Sequence, residues 1–399
     1  MLIKDKKIVL GVTGGIAAYK AVELVRLLVL EGAEVQVGMT AHAMEFVAPL
    51  TFEALSGHKV ICHMFEQHHV VMEHIEWAQG SDLVVIAPAT ANFIGKMTHG
   101  IADDFLSTLV LAATVPILLC PAMNNKMYEN VAVQENLEIL RKRGIHIMEP
   151  AQGSLACRSE GRGRLPEPVD ILEQIRILLG PNDMQGLKFL VSAGPTAEPI
   201  DPVRYITNRS SGKMGYALAR MARARGAEVV LVSGPTSLPP PVGVEVIGVR
   251  TAEEMKAAVL GRAKACDVVI MAAAVVDYRP KRYEEHKIKK EDESLRLDLE
   301  KTPDILKELG KSRGETPRVL VGFAAETQDL LNHAQQKLQE KNLDMIVAND
   351  VSRTDAGFDV DTNLVKLLYR DGVIEDLPLM SKDEVAGWIL DRIKGLLGL

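Results

Sequence analysis

Four cysteines in 399 residues, Cys62, Cys120, Cys157 and Cys266, lie far apart and form no CxxC pair. A disulfide framework is excluded, and free thiols in a reducing compartment are expected. The start Met-Leu-Ile-Lys-Asp-Lys-Lys lacks the apolar core of a signal peptide, so a cytoplasmic protein is expected. Basic excess is missing too: 46 Lys and Arg against 53 Asp and Glu give a net charge of −7. With no lysine block either, nucleic-acid binding has no electrostatic support. Only Phe105 to Met123 approaches the length of a membrane span, and Pro116 and Pro121 interrupt it. Those prolines predict a helix over about 104–113 and a short buried strand over about 116–120, hence core and no membrane contact. No low-complexity tract occurs. At 47% hydrophobic and 25% charged the chain is globular, and its length predicts two domains.

What is present is an alternation of strands and helices. Lys7 to Val12 reads as a strand stopping in Thr13-Gly14-Gly15, and Ile16 to Glu31 carries apolar residues at helical spacing. Gly32 ends that helix, and further strands are predicted at Ala33 to Met39, Asp82 to Ala87 and Pro116 to Cys120. The pattern restarts with a strand at Lys188 to Ala193 and a helix at Ser211 to Arg225, and Gly226-Ala227-Glu228-Val229 repeats Gly32-Ala33-Glu34-Val35. Later strands are expected at Asp267 to Ala274, Val319 to Ala324 and Leu343 to Ala348, with helix filling the gaps. Gly180-Pro181-Asn182-Asp183 carries helix-stop and turn chemistry, which predicts domains at 1–183 and 184–399. Both are α/β, with parallel sheets covered on both faces.

In such sheets ligands bind at the carboxyl ends of the strands. Gly11-Val12-Thr13-Gly14-Gly15 allows backbone amides to approach an anion, but it is not GxGxxG. The second strand ends at Thr40, where a dinucleotide site would place an acid for the ribose diol. A mononucleotide such as FMN fits better. Pro88-Ala89-Thr90-Ala91-Asn92 and Pro121-Ala122-Met123-Asn124 offer further donors, although the same residues also cap ordinary turns. His74, Asn124 and Cys157 are the candidate chemical residues. Eight of the ten histidines fall in this half, yet Cys62-His63 and His68-His69 lack the usual zinc spacings. Cys157 sits in the Gly-rich basic loop Gly153 to Arg164, which reads as a lid, whose Arg158, Arg162 and Arg164 would lower its thiol pKa and attract an anionic substrate; the plain alternative is a mobile loop with an idle cysteine.

In the second half, Thr207 to Met214 imitates a phosphate-binding P-loop, but Thr207 stands where its first glycine belongs and Met214 follows Lys213. An anion site at a helix N-terminus remains, with Arg204 and Asn208 just upstream. Asp277 follows a strand, and Lys287 and Lys289 share one face by period 2, on what spacing alone reads as a solvated hairpin.

Taken together, Gly-Val-Thr-Gly-Gly-Ile-Ala-Ala-Tyr-Lys, His74, Pro-Ala-Met-Asn around Asn124 and Leu-Ala-Cys at Cys157 resemble the flavin-containing cysteine decarboxylases. Nearly the whole chain resembles the bacterial bifunctional phosphopantothenoylcysteine decarboxylase and phosphopantothenate–cysteine ligase of coenzyme A synthesis. The resemblance implies a flavodoxin-like first domain and a Rossmann-like ligase domain. It implies that FMN is held by Gly14, Gly15, Ile16, Ala17 and Thr40, by Pro88, Ala89, Thr90 and Asn92, and by Thr108. His74 would assist thiol oxidation, Asn124 would hold the substrate carboxylate and Cys157 would donate a proton. In the ligase domain Arg204, Asn208 and Lys287 would bind or stabilise an acyl-cytidylate. CTP would be surrounded by Met271, Ala272, Ala273, Asp277 and Lys287, by Pro303, Asp304, Ile305 and Leu306, and by Phe323, Lys337 and Lys341. The implied partners are 4'-phosphopantothenate, cysteine, CTP and Mg2+. A homo-oligomer is implied as well, with flavin sites at subunit interfaces and a dimeric ligase domain. Two departures from the family pattern are Arg158, where glycine is expected, and Asp103-Asp104-Phe105, where Asp-Asn-Leu is usual. By fold alone a two-domain NAD-dependent dehydrogenase competes, and so does a non-catalytic flavoprotein-like binding subunit; the missing GxGxxG argues against the first and the presence of Asn124 and Cys157 against the second.

Overall fold

The computed structural model describes residues 2–65, 73–154, 160–289, 295–326, 330–350, 357 and 360–399. The chain forms two compact units, Met1–Gly180 and Pro181–Leu399.

In the first unit, four apolar runs become largely buried strands, and a short fifth strand closes the edge. β1 (Lys7–Val12), β2 (Glu34–Met39), β3 (Leu83–Ala89), β4 (Ile117–Pro121) and β5 (His146–Ile147) form a parallel sheet in the order β2-β1-β3-β4-β5. This is the flavodoxin-like order, whose direction reverses between β1 and β3. Along β1, Ile8, Leu10 and Val12 pack on one face and Val9 on the other. The run from Phe105 divides as its prolines predict, into the helix Phe105–Ala112 and β4. After β5 comes an antiparallel hairpin of β6 (Ala151–Ser154) and β7 (Glu160–Arg164), where a loop was expected; the strand pairing continues from Ser154 opposite Glu160 down to Ala151 opposite Arg164.

The second unit opens with β8 (Lys188–Ala193), followed by a ribbon of β9 (Ala197–Pro199) and β10 (Tyr205–Thr207). β11 (Glu228–Ser233), β12 (Glu245–Gly248) and β13 (Val268–Met271) come next, then a second ribbon of β14 (Tyr278–Pro280) and β15 (Leu299–Lys301). β16 (Val319–Glu326) and β17 (Met345–Asp350) complete six parallel strands in the order β12-β11-β8-β13-β16-β17. Numbered along the chain this is 3-2-1-4-5-6, the doubly wound Rossmann order. Beyond them β18 (Thr362–Asn363) pairs with β21 (Met380–Ser381), while β19 (Val365–Tyr369) and β20 (Ile374–Asp376) extend the sheet antiparallel.

Three expectations need correction here. The strand expected to reach Ala274 stops at Met271, because Ala273 N–H donates to Ser192 Oγ at 3.1 Å and Ala274 N–H to Gly194 O at 2.9 Å, which draws the chain off the ladder. The gap after β13 holds the β14/β15 ribbon and only a seven-residue helix, Ile305–Lys311. Lys287 and Lys289 lie on no strand, since the intervening Ile288 bonds the turn at Asp201 and Arg204.

The repeated Gly-Ala-Glu-Val is structural. Gly32 and Gly226 take φ of +80° and +94°, conformations that glycine adopts without steric cost, and each closes a helix. Glu34 then starts its strand opposite Lys7, and Glu228 opposite Lys188. At the amino ends of the same sheets, Asp82 Oδ2 accepts from Lys7 N–H at 2.8 Å and Asp267 Oδ2 from Lys188 N–H at 2.9 Å.

Asp183, the last residue of the expected linker, is bonded within the second unit, to Arg225 Nη2 at 2.6 Å and Lys394 Nζ at 3.0 Å. The hydrogen bond from Arg225, aided by Lys394, pushes its carboxyl down to about 2. A folded pKa below the unfolded value of about 4 means that the pair stabilises fully above pH 4 and loses that contribution as pH falls through about 2. Asp183→Asn is expected to cost about 1–3 kcal/mol at neutral pH and to flatten this acid limb, as read by denaturant unfolding at several pH values.

Candidate active sites at two sheet edges

At the switch point of the first sheet the loops after β1 and β3 part to opposite faces, and one buried hydroxyl joins them. Thr13 Oγ1 donates to Pro88 O at 2.8 Å and accepts from Thr90 N–H at 3.0 Å. Gly14 lets the first loop approach the helix Ala41–Met44, since a Cβ there would fall 2.2 Å from His42 Cβ. Gly15, Ile16 and Ala17 then lead into the helix Ala18–Leu30, with Ile16 exposed. Thr90 caps the helix Ala91–His99 by accepting from Phe93 N–H, and Asn92 is exposed beside it. Thr108 Oγ1 donates to Asp104 O at 2.8 Å. Asp104, at the position where the family pattern departs, caps the same helix in a reciprocal capping box with Ser107.

Thr40 decides whether a ligand fits. It stands at the N-cap of Ala41–Met44, yet its side chain makes no capping bond, and Oγ1 is buried without a hydrogen-bond partner. A buried hydroxyl left unpaired costs roughly 1–3 kcal/mol, so this atom calls for a polar ligand atom. With the Gly14–Ala17 turn beside it, the residues present fit a phosphate-ended flavin.

Asn124 caps the helix Asn125–Tyr128, its Oδ1 accepting from Lys126 N–H at 2.8 Å. The base of the β6/β7 hairpin is clamped to this loop. Met123 N–H donates to Gly163 O at 2.9 Å, and a Cβ on Gly163 would lie 2.3 Å from Met123 O. Residues 155–159, with Cys157 and Arg158, lie outside the described residues. His74 occupies the first turn of the helix Glu73–Gly80, half-buried. Burial pushes the thiols of Cys120 and Cys266 up, so neither is a reactive thiolate.

In the second unit a cavity of about 730 Å³ opens at the carboxyl ends of β13 and β16. Its walls bring together Asn208, Met271, Ala272, Ala273 and Asp277 with Pro303 to Leu306, Phe323, Lys337 and Lys341. Arg204 and Lys287 are not among its lining residues. Hydroxyls again clasp the switch point: Ser192 Oγ accepts from Ala273 N–H and Thr196 Oγ1 from Val276 N–H at 3.0 Å. Asn208 Nδ2 donates to the carbonyls of Ala274 and Val275 at 3.3 and 3.1 Å. Gly212, at φ +79°, turns the chain into the helix Lys213–Ala224 with no side-chain cap, so its first amides face the cavity.

The charge of the lining is lopsided. Among the described residues, Arg209, Lys213, Lys301, Lys337, Lys341 and Lys382 meet two lining carboxylates, Asp277 and Asp304. Lys341 pairs with Asp304 at 3.0 Å, and Lys213 with Asp361 at 2.7 Å. A site this basic suits a polyphosphate. Two groups escaped the sequence reading: Asn349 Oδ1 and Asn363 Oδ1 are buried, unpartnered and on the cavity wall. The position of Asn349 at the end of an apolar strand was the available signal; nothing in the letters marks Asn363. Among the described residues no group of three or more His, Cys, Asp or Glu is placed to hold a metal ion, and no helix is long and apolar enough to cross a membrane.

Thr40→Val tests the first site, because Val keeps the shape and removes the orphaned oxygen. Flavin-free protein is expected to hold or gain stability, while the flavin dissociation constant rises by about tenfold, one lost hydrogen bond. Thermal melts and fluorescence titration of the same samples check the opposed signs.

Residues 2–180 match the family described as Flavoprotein, and residues 184–397 that described as DNA/pantothenate metabolism flavoprotein C-terminal domain. The Coenzyme A biosynthesis bifunctional protein CoaBC of Bacillus subtilis (strain 168) is 48% identical over 400 residues, covering 99% of this chain and 98% of its own. That of Vibrio cholerae serotype O1 is 47% identical over 394 residues, covering 98% of each. The solved C-terminal domain of a protein of that name is 46% identical, covers 54% of this chain and 98% of its own, and superposes with a TM-score of 0.47. With both domain families present over almost the full length, the chain belongs to the bifunctional coenzyme A biosynthesis enzymes, flavoproteins that join a decarboxylase unit to a ligase unit.

Proposed function

We propose that the second unit joins cysteine to 4'-phosphopantothenate with CTP, through an acyl-cytidylate, and that the first decarboxylates the resulting 4'-phosphopantothenoylcysteine to 4'-phosphopantetheine with FMN. The observation that carries the ligase half is the basic cavity at the second switch point, lined by eleven of the twelve residues expected around CTP. Attack of the phosphopantothenate carboxylate on the α-phosphate releases pyrophosphate, and the cysteine amine then displaces CMP to form the amide. The cavity's cations oppose the charge of the triphosphate, and Mg2+ would neutralise what remains between two anions. Arg204, Asn208 and Lys287 would stabilise the charge that gathers on the acyl phosphate as it forms and breaks.

For the first unit, FMN fits the turn at Gly14, Gly15, Ile16 and Ala17, with Thr40, the Pro88, Ala89, Thr90 and Asn92 loop and Thr108. When bound, it would supply the two-electron oxidation that turns CH2–SH into CH=S, the electron sink a cysteine carboxylate otherwise lacks, and would return the same two electrons once carbon dioxide has left, so that the saturated thiol forms with no net oxidation. Asn124, its amide oriented by the Lys126 N–H, would hold the departing carboxylate. His74 would take a proton from the oxidised group, and Cys157 would return one to the product. Further parts of this reading are a functional division at 183/184, a cytoplasmic location and a homo-oligomer with flavin sites between subunits and a dimeric ligase unit.

Separate sites give separate losses. Asn208→Asp and Lys287→Gln should each cut pyrophosphate-coupled amide formation roughly 100-fold or more, the scale of losing one transition-state donor. Decarboxylation of supplied 4'-phosphopantothenoylcysteine should stay near normal in both. Parallel assays of pyrophosphate and carbon dioxide read the two activities, and joint loss of both contradicts the two-site reading.

A further inference from the structure

Asp201 begins the turn between the β9/β10 strands and is almost fully buried, at 2% exposure. Five hydrogen bonds converge on its carboxylate. Oδ1 accepts from the N–H groups of Val203 and Arg204, both at 2.8 Å. Oδ2 accepts from Arg204 Nε at 2.9 Å and Nη2 at 2.5 Å, and from Ile288 N–H at 3.2 Å. Arg204 Nη2 also donates to Ile288 O at 3.0 Å. One residue 87 positions away is thus gripped at both of its backbone polar groups. A third tie, Glu284 N–H to Ile200 O at 3.0 Å, fixes the start of the same segment.

We propose that Asp201 is a positioning residue of amide formation: its carboxylate locks the Arg204 guanidinium and the Ile288 backbone into one unit, and so fixes where Lys287 projects. The proposal rests on the roles given to Arg204 and Lys287 above. Lys287 is exposed, belongs to no strand and has a long flexible side chain, so without this grip its ammonium is spread over many positions. A misplacement of about 1 Å in a catalytic array costs on the order of 100-fold in rate, which makes the anchoring of Ile288 a kinetic matter. The arrangement requires an ionised carboxylate, because five donors need the acceptor capacity of both oxygens and Arg204 needs the charge. Arg204 holds the Asp201 carboxyl far below the ordinary carboxylate range, so the lock does not titrate near neutral pH. Asparagine in its place retains one acceptor oxygen and no charge.

The full chain carrying Asp201→Asn, Asp201→Glu, Lys287→Gln or Arg204→Gln is assayed for pyrophosphate release during turnover with CTP, 4'-phosphopantothenate and cysteine. Amide exchange of the peptide containing Ile288 is followed in parallel. Asp201→Asn is expected to speed Ile288 exchange about tenfold or more and to lower kcat about 10–100-fold. KM for CTP should stay within about twofold, since the cavity's nucleotide-facing walls stand on other elements. Added to Lys287→Gln, Asp201→Asn should cost little more, because it acts through the residue already lost. Asp201→Glu, which keeps the charge, should lie between wild type and Asn in both readouts, and it carries the test if Asn does not fold. Wild-type kcat in Asp201→Asn, with Lys287→Gln inactive, overturns the lock. Full multiplication of the two defects in the double variant overturns it as well. Full activity in Lys287→Gln and Arg204→Gln overturns the roles on which it rests, even when Ile288 exchanges fast.

Discussion

The hydroxyl clasp across each sheet's switch point is the interaction on which both sites depend. Where strand order reverses, two neighbouring loops leave for opposite faces and no ladder joins them, which is what opens the crevice. Thr13 bridges that gap in the first unit, and Ser192 with Thr196 in the second. Side-chain oxygens small enough to lie flat between two loops hold the crevice without filling it. Their donors and acceptors are spent on backbone partners, so the remaining amides and side chains of the loops face the ligand space.

The opposite ends of the same strand pairs are pinned by Asp82 and Asp267. Each central pair is therefore tied at both ends, and the loops of the candidate sites hang from that scaffold. Such support is what keeps a site within the narrow tolerances that chemistry demands. Charge is arranged on the same local scale. The chain as a whole is acidic, yet the described lining of the second cavity sets six cations against two carboxylates. On the proposed reading, a triphosphate would be drawn by that cavity and not by the molecule's overall field.

The sequence disclosed what repeats locally and hid what long range decides. Strand positions, the helix ending at Gly32 and the loops that close on Thr13 and Pro88 were legible, because apolar periodicity and turn residues act within a few positions. The antiparallel β19 and β20 were not, since a strand's direction is set by its partner and not by its own letters. Period 2 misread Lys287 and Lys289 for a related reason: Ile288 finds its bonds at Asp201 and Arg204, more than eighty residues earlier. Thr13 and Asn363 look ordinary as letters, and their importance appears only as a bridging hydroxyl and an unpaired buried oxygen. Eleven of the twelve residues expected around a nucleotide line one cavity, because they stand near strand ends that the fold gathers at one edge, whereas Lys287 does not line it.

The central claim is that two crevices in one chain perform consecutive steps, with the product of the basic cavity serving as substrate at the flavin site. Incubation of the purified protein with 4'-phosphopantothenate, cysteine and Mg2+, with and without CTP, and with ATP in its place, tests this directly when pyrophosphate and carbon dioxide are followed together. The account predicts pyrophosphate with CTP, carbon dioxide appearing after a lag and never exceeding it, and carbon dioxide without any nucleotide once 4'-phosphopantothenoylcysteine is supplied. Carbon dioxide released from cysteine with no nucleotide present, or pyrophosphate with no amide formed, would contradict it.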